Sequence, residues 1–148
     1  MERDFFIWAS RFAHDESAPL FAAMDFPRDK ALFVIMLYCG LRVSEAIALR
    51  PSDIKGSGLV LPAKATKGKL ARSSADWLLD QALAYAGLEG RGISTHSFRR
   101  TALTNLSNVG VPLRVIQEIS GHRSLASLQR YLEVSPEQKK RAIAALGY

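Results

Sequence analysis

HSFRRTALTNLSNVGVPLRVIQEISGHRSLASLQRY, residues 96–131, decides how this chain is read. Its apolar residues recur at helical spacing and its breaks are explicit. Thr95 or Ser97 caps a helix that reaches about Asn108, and Gly110-Val111 makes a turn. Pro112 opens a second helix with Leu113, Ile116 and Ile119 along one side, and Gly121 ends it. Ser124 caps a third, with Leu125, Leu128 and Leu132 expected to point inward. Beyond it, Ser135-Pro136-Glu137-Gln138 has the form of a capping box with proline at the first helical position. A last helix is therefore expected to about Leu146.

Working back toward the N-terminus, Phe5, Phe6, Trp8, Ala9 and Phe12 give residues 3–13 a helical pattern, broken at Asp15 to Pro19. Leu20 to Phe26 reads as a short helix or turn. Pro27 opens a helix to about Cys39 that is apolar almost all round and so expected to be buried, with Cys39 as a core thiol. Gly40 ends it, and Ser44 is the expected cap of a short helix from Glu45 to Leu49, stopped by Pro51. Between residues 56 and 74 the pattern turns β-like. A strand is expected over Leu59 to Thr66, a turn at Lys67-Gly68-Lys69 and a return strand over Leu70 to Ser74. Asp76 to Ala86 is again helical. The fold class is mostly α with a small antiparallel β-hairpin, an α+β arrangement.

At 148 residues one domain is expected. The longest apolar run, Ala31 to Cys39, is shorter than the roughly 20 residues a membrane helix needs. A single cysteine rules out an internal disulfide and fits a reducing cytoplasm. The net charge of +6 is unevenly placed: residues 28–72 and 91–148 carry +6 each, while 1–27 and 73–90 carry −3 each. That concentration of cations points to a polyanion partner, although a solvated basic surface would also account for it.

Several residues within the two basic segments invite chemistry. His96 and Arg99, three apart at a helix start, share a face on which backbone N–H groups also favour an anion. Alone, the pair also fits a capping histidine and a surface arginine. Arg100 points about a third of a turn away. His122 sits in an interhelical Gly121-His122 turn. Tyr131 lies at the margin of the Leu128/Leu132 face, where its hydroxyl is either anchored in the core or presented to a groove. Arg42 follows an apolar helix and a glycine, so burying it requires an anion or a partner such as Glu45.

Together these pieces resemble the catalytic domain of the tyrosine recombinases, or phage integrases. The segments that carry the resemblance are CGLRVSEAIALRPSDI (39–54), the hairpin around TKGK (66–69), HSFRRT (96–101) and SGHRSLASLQRYLEVS (120–135), in that order. The resemblance implies that Tyr131 is the nucleophile, forming a 3′-phosphotyrosine and releasing a 5′-hydroxyl. It implies that Arg42 and Arg99 grip the non-bridging oxygens, that His122 adds a hydrogen bond there, and that His96 assists proton transfer at the tyrosine. Lys67 is the implied general acid, with Lys64 and Lys69 as competitors. Glu45 would support Arg42 and His122 from behind. Arg100, Lys64, Lys69, Arg72 and Arg123 are expected to contact DNA.

Double-stranded DNA is thus the implied partner, with self-association into a tetrameric synapse, in a bacterial or phage-derived setting at the nucleoid. Cations supply the stabilisation, so no metal or other cofactor is implied. Residues 1–26 are too few for the core-binding domain that relatives usually carry, so the expectation is a single catalytic domain over 1–148 without it. Two positions depart from the pattern: Arg100, often His in relatives, and Ser120, usually Leu. The competing reading is a non-catalytic helix-turn-helix protein in which Arg114 and Gln117 read bases and Tyr131 is core. A type IB topoisomerase and a purely structural helical domain are more distant alternatives.

Overall fold

In a computed structural model the described residues are 16–56, 58–59, 70–130, 132 and 136–147. In chain order they form α1 (Ser17–Ala22), α2 (Pro27–Cys39), α3 (Val43–Ala48), a 3-10 turn (Pro51–Asp53), β1 (Ile54–Lys55), β2 (Gly58–Leu59), α4 (Arg72–Tyr85), α5 (Thr95–Asn108), α6 (Leu113–Ser120), α7 (Leu125–Gln129) and α8 (Pro136–Ala144). The expected helix over 3–13 and residues 60–69 of the expected hairpin lie outside the described residues. The mainly helical α+β class is as the sequence implies.

The others are arranged around α5. Thr95 and every residue from Ser97 to Thr104 are buried, so α5 is covered on nearly all sides. The Phe98 ring stacks on that of Phe33 from α2, with centroids 5.1 Å apart and planes at 28°. Both side chains are fully buried, each contributing about 1.5–3 kcal/mol by removal from water. Leu20, Met36, Leu79, Leu83 and Ile93 belong to the same larger core cluster. A smaller one joins Leu103 of α5, Ile116 of α6 and Leu128 of α7, with Leu106, Val111 and Leu132 packed against it.

Several expectations are corrected. The helix from Pro27 to Cys39 forms as read, but only Asp29, Phe33 and Met36 are buried along it. It rests on α5 by one stripe, so Tyr38 is 80% exposed and Cys39 is an exposed thiol rather than a core one. The short helix after Gly40 begins at Val43, two residues early, because the Glu45 carboxylate accepts the Arg42 amide and makes Arg42 the N-cap. Leu59 pairs with Ile54 and Lys55 with Gly58 in an antiparallel hairpin that begins before the expected strand. The return strand expected over Leu70 to Ser74 gives way at Arg72, where α4 starts; Ala75, Leu79, Ala82 and Leu83 set a helical stripe against the core. On α6 and α7 only Ile116, Ser120 and Leu128 are buried. Leu113, Ile119 and Leu125 lean outward because α6 packs against α5, and α7 against α6, through short contacts centred on Ile116 and Leu128. Among the described residues no helix is long and apolar enough to cross a membrane.

Candidate active site

A guanidinium does not enter a protein interior unless its donors are satisfied. Arg99 is 4% exposed. Its Nη1 donates to the carbonyl of Gly40 at 2.6 Å, and its Nη2 donates to the carbonyl of Ser120. Both acceptors are helix ends. Gly40 closes α2 and Gly121 closes α6, each in the left-handed conformation with φ near +64° and +63°. Helix C-termini expose unpaired carbonyls at the negative end of the helix dipole, so two of them make a cradle for a cation.

Arg42 approaches from the other side. Glu45 accepts from its backbone N–H at 2.7 Å and from Nη1 at 2.8 Å. The same carboxylate lies 3.8 Å from Nη1 of Arg99, so Glu45 sits between the two guanidiniums and offsets their repulsion. Nη2 of Arg42 reaches the Gly121 carbonyl at 3.5 Å. The Arg42 side chain stays 46% exposed, open to a ligand.

His122 follows Gly121. The Ser120 hydroxyl lies 2.6 Å from its Nδ1. Burial first, then the charges of Arg99 and Arg42, hold the imidazole below the ordinary histidine value, so the ring is neutral at neutral pH. Gln117 fixes the turn by donating from Nε2 to the His122 carbonyl at 3.0 Å. That Gln117 is so employed, while Arg114 pairs with Glu118 and Gln117, counts against the base-reading role of the helix-turn-helix alternative.

His96 and Arg99 do share a face at the start of α5, as their spacing implies. Asp76 of α4 accepts from the Thr95 hydroxyl at 3.2 Å and Ser97 accepts the Ser94 amide at 3.0 Å, fixing where α5 begins. Arg72, the first residue of α4, brings Nη2 within 3.5 Å of His96 Nε2. One cleft of about 270 Å³ is lined by Arg42, Arg72, His96, Arg99, His122 and small residues that include Ser44, Thr95 and Ser127. The volume admits a phosphodiester group, and five nitrogen-bearing side chains face it.

Arg100 does not join them. It is 7% exposed and turned into the interior, which corrects its expected place at a DNA surface; burial on all sides of α5 leaves it no outward face. Arg123 is exposed. Tyr131, Lys64, Lys67 and Lys69 lie outside the described residues. The hydroxyl of Ser120 and the carbonyls of Gly40 and Ser120 serve the site without a catalytic motif in the sequence. The one signal at Ser120 is a hydroxyl where the resemblance leads one to expect Leu.

Comparison with known proteins gives the chain a family. The model of the phage integrase family matches residues 55–138. The tyrosine recombinase XerC of Rhodospirillum centenum is 33% identical over 148 residues, covering 74% of this chain and 43% of the relative. XerC of Caldanaerobacter subterraneus subsp. tengcongensis is 26% identical over 171 residues, covering 87% of this chain and 48% of its own length. The chain therefore spans about half the length of these curated relatives. Among solved structures, the XerA recombinase superposes with a TM-score of 0.69 at 19% identity, covering 92% of this chain and 64% of that one. XerH bound to a palindromic difH substrate, a post-cleavage complex, gives 0.70 at 16% identity, covering 93% and 53%. At such identities the likeness is one of fold. With its family model matched over more than half its length, and with the same fold as those recombinases, this chain belongs to the phage integrase family.

Proposed function

We propose that this chain is the catalytic domain of a site-specific DNA recombinase that cleaves and rejoins strands through a 3′-phosphotyrosine. Tyr131 attacks the scissile phosphorus, and the 5′ oxygen leaves with a proton from Lys67. Arg42 and Arg99 neutralise the non-bridging oxygens, with a hydrogen bond from His122. His96 assists the proton leaving the tyrosine. Phosphoryl transfer asks chiefly for positioning and charge neutralisation, and bidentate guanidiniums suit the equatorial oxygens. The phosphotyrosine conserves the bond energy, so rejoining requires no nucleotide. The partner is double-stranded DNA, with a tetrameric synapse as the working assembly, in a bacterial cytoplasm.

The observation that carries this reading is the convergence of Arg42, Arg99, His96 and His122 on one cleft from three separate stretches of sequence. A nicked duplex that loses a short fragment after cleavage tests it, since the covalent adduct can no longer be resealed. The expected result is a protein–DNA adduct on a denaturing gel, absent for Tyr131→Phe, whose fold is unchanged. Binding without any adduct across a panel of recombination-site duplexes would overturn the proposal.

A further inference from the structure

We propose that Ser120 is a positioning residue that fixes the tautomer of His122, placing its ring proton on Nε2 so that the neutral imidazole donates into the cleft. The inference rests on the recombinase reading for its catalytic meaning, but its structural content stands apart from it. Ser120 is 4% exposed and its hydroxyl carries one proton. Two acceptors are in reach: the Gln117 carbonyl at 3.2 Å and Nδ1 of His122 at 2.6 Å. The carbonyl already receives the backbone N–H of His122 at 3.3 Å and a share of that of Gly121, which also reaches the Glu118 carbonyl, so it is a well-used acceptor. The proton therefore goes to Nδ1, the nearer acceptor at 2.6 Å against 3.2 Å. An Nδ1 that accepts leaves the neutral ring its proton at Nε2.

The neighbouring charges make this matter. Arg99 and Arg42 oppose protonation of His122, so a doubly protonated ring is not the available donor. A neutral ring donates to a phosphate oxygen only in one of its two tautomers. The hydroxyl of Ser120 selects it, which a leucine at this position cannot do. The backbone of the same residue already serves the site, since its carbonyl accepts from Arg99. One residue thus holds both a guanidinium and an imidazole, the first through its main chain and the second through its side chain.

The test is ¹⁵N NMR of the intact chain labelled at histidine, read at a pH where the rings are neutral, with His122→Gln supplying the assignment. In the wild-type protein the His122 signals should lie at the Nε2–H limit. Ser120→Ala should move them toward a tautomer mixture, and Ser120→Cys, which keeps a weaker donor in nearly the same volume, should restore part of the shift. Single-turnover adduct formation should slow about tenfold in Ser120→Ala, with the DNA Kd and Tm nearly unchanged. A wild-type ring at the Nδ1–H limit, or a Ser120→Ala spectrum still at the Nε2–H limit, would overturn the proposal. If the tautomer behaves as expected but the wild-type protein forms no adduct, the assignment stands and the recombinase reading falls.

Discussion

Arg99 donates from Nη1 to the carbonyl of Gly40, 59 residues upstream, at 2.6 Å. The bond ties a side chain of α5 to the end of α2, and it divides the labour between the two arginines. Arg99 belongs to the fold as much as to the site, whereas Arg42 belongs mainly to the site. Arg99→Ala leaves the Gly40 and Ser120 carbonyls without this partner, and an unsatisfied buried group costs about 1–3 kcal/mol. Arg42→Ala removes a half-exposed side chain, for which a change within about 1 kcal/mol is expected. Either should slow adduct formation about 10²-fold or more. Denaturant titration beside adduct kinetics will separate them: both slow, only Arg99→Ala markedly less stable. An Arg42→Ala rate equal to wild type would remove that residue from the chemistry.

Glu45 lies between the two guanidiniums, so its loss should loosen their spacing without weakening attraction for DNA. Glu45→Gln keeps an acceptor for the Arg42 amide but discards the charge, and Glu45→Ala discards both. Cleavage should fall in the order wild type, Gln, Ala. The DNA Kd should hold or tighten, because a negative charge has gone. A parallel loss of affinity would mean that the carboxylate shapes the binding surface instead.

The depressed ionisation of His122 has a defined sign. The unfolded chain takes up a proton near pH 6.5 while the folded ring resists it, so stability should decline as pH falls below that value. The decline should end once the folded ring titrates as well. His122→Gln should flatten this part of the stability profile. Arg42→Ala, by removing one of the opposing charges, should move the ring's NMR titration upward. A ring that titrates above 6.5 in the wild-type protein would contradict the arrangement.

The general acid can be found chemically. A substrate with sulfur at the 5′ bridging position expels a thiolate, which leaves without needing a proton. Lys67→Ala should be slow on the ordinary substrate and recover on the sulfur one, whereas Arg42→Ala should not recover. Rescue confined to Lys64→Ala or Lys69→Ala would transfer the role to that residue.

Much of this was legible beforehand because the signals are local. Pro27, Gly40, Pro112, Gly121, Ser124 and Pro136 punctuate the helices, and backbone chemistry at such points hardly depends on the rest of the fold. The grouping of Arg42, His96, Arg99 and His122 was legible through family resemblance, not through spacing. What escaped is non-local. Whether Arg100 or Cys39 faces water depends on which neighbours cover a helix, and α5 is wrapped while α2 is not. The end of the expected hairpin is not legible locally, because Leu70 to Ser74 suits a short strand in isolation, whereas tertiary packing of Ala75 and Leu79 draws Arg72 into a helix. The carbonyls that hold Arg99 have no side-chain signature at all.

The contact from Arg42 to the carbonyl of Gly121 joins positions 79 apart. During translation the ribosome must release the chain well past Gly121 before that contact can close. A chain that ends before α6 therefore lacks both the Gly121 carbonyl that Arg42 reaches and the Ser120 carbonyl that Arg99 reaches. The strand cleavage proposed above would therefore be open only to the finished tertiary structure, because the groups it uses lie far apart along the chain and non-local contacts close late.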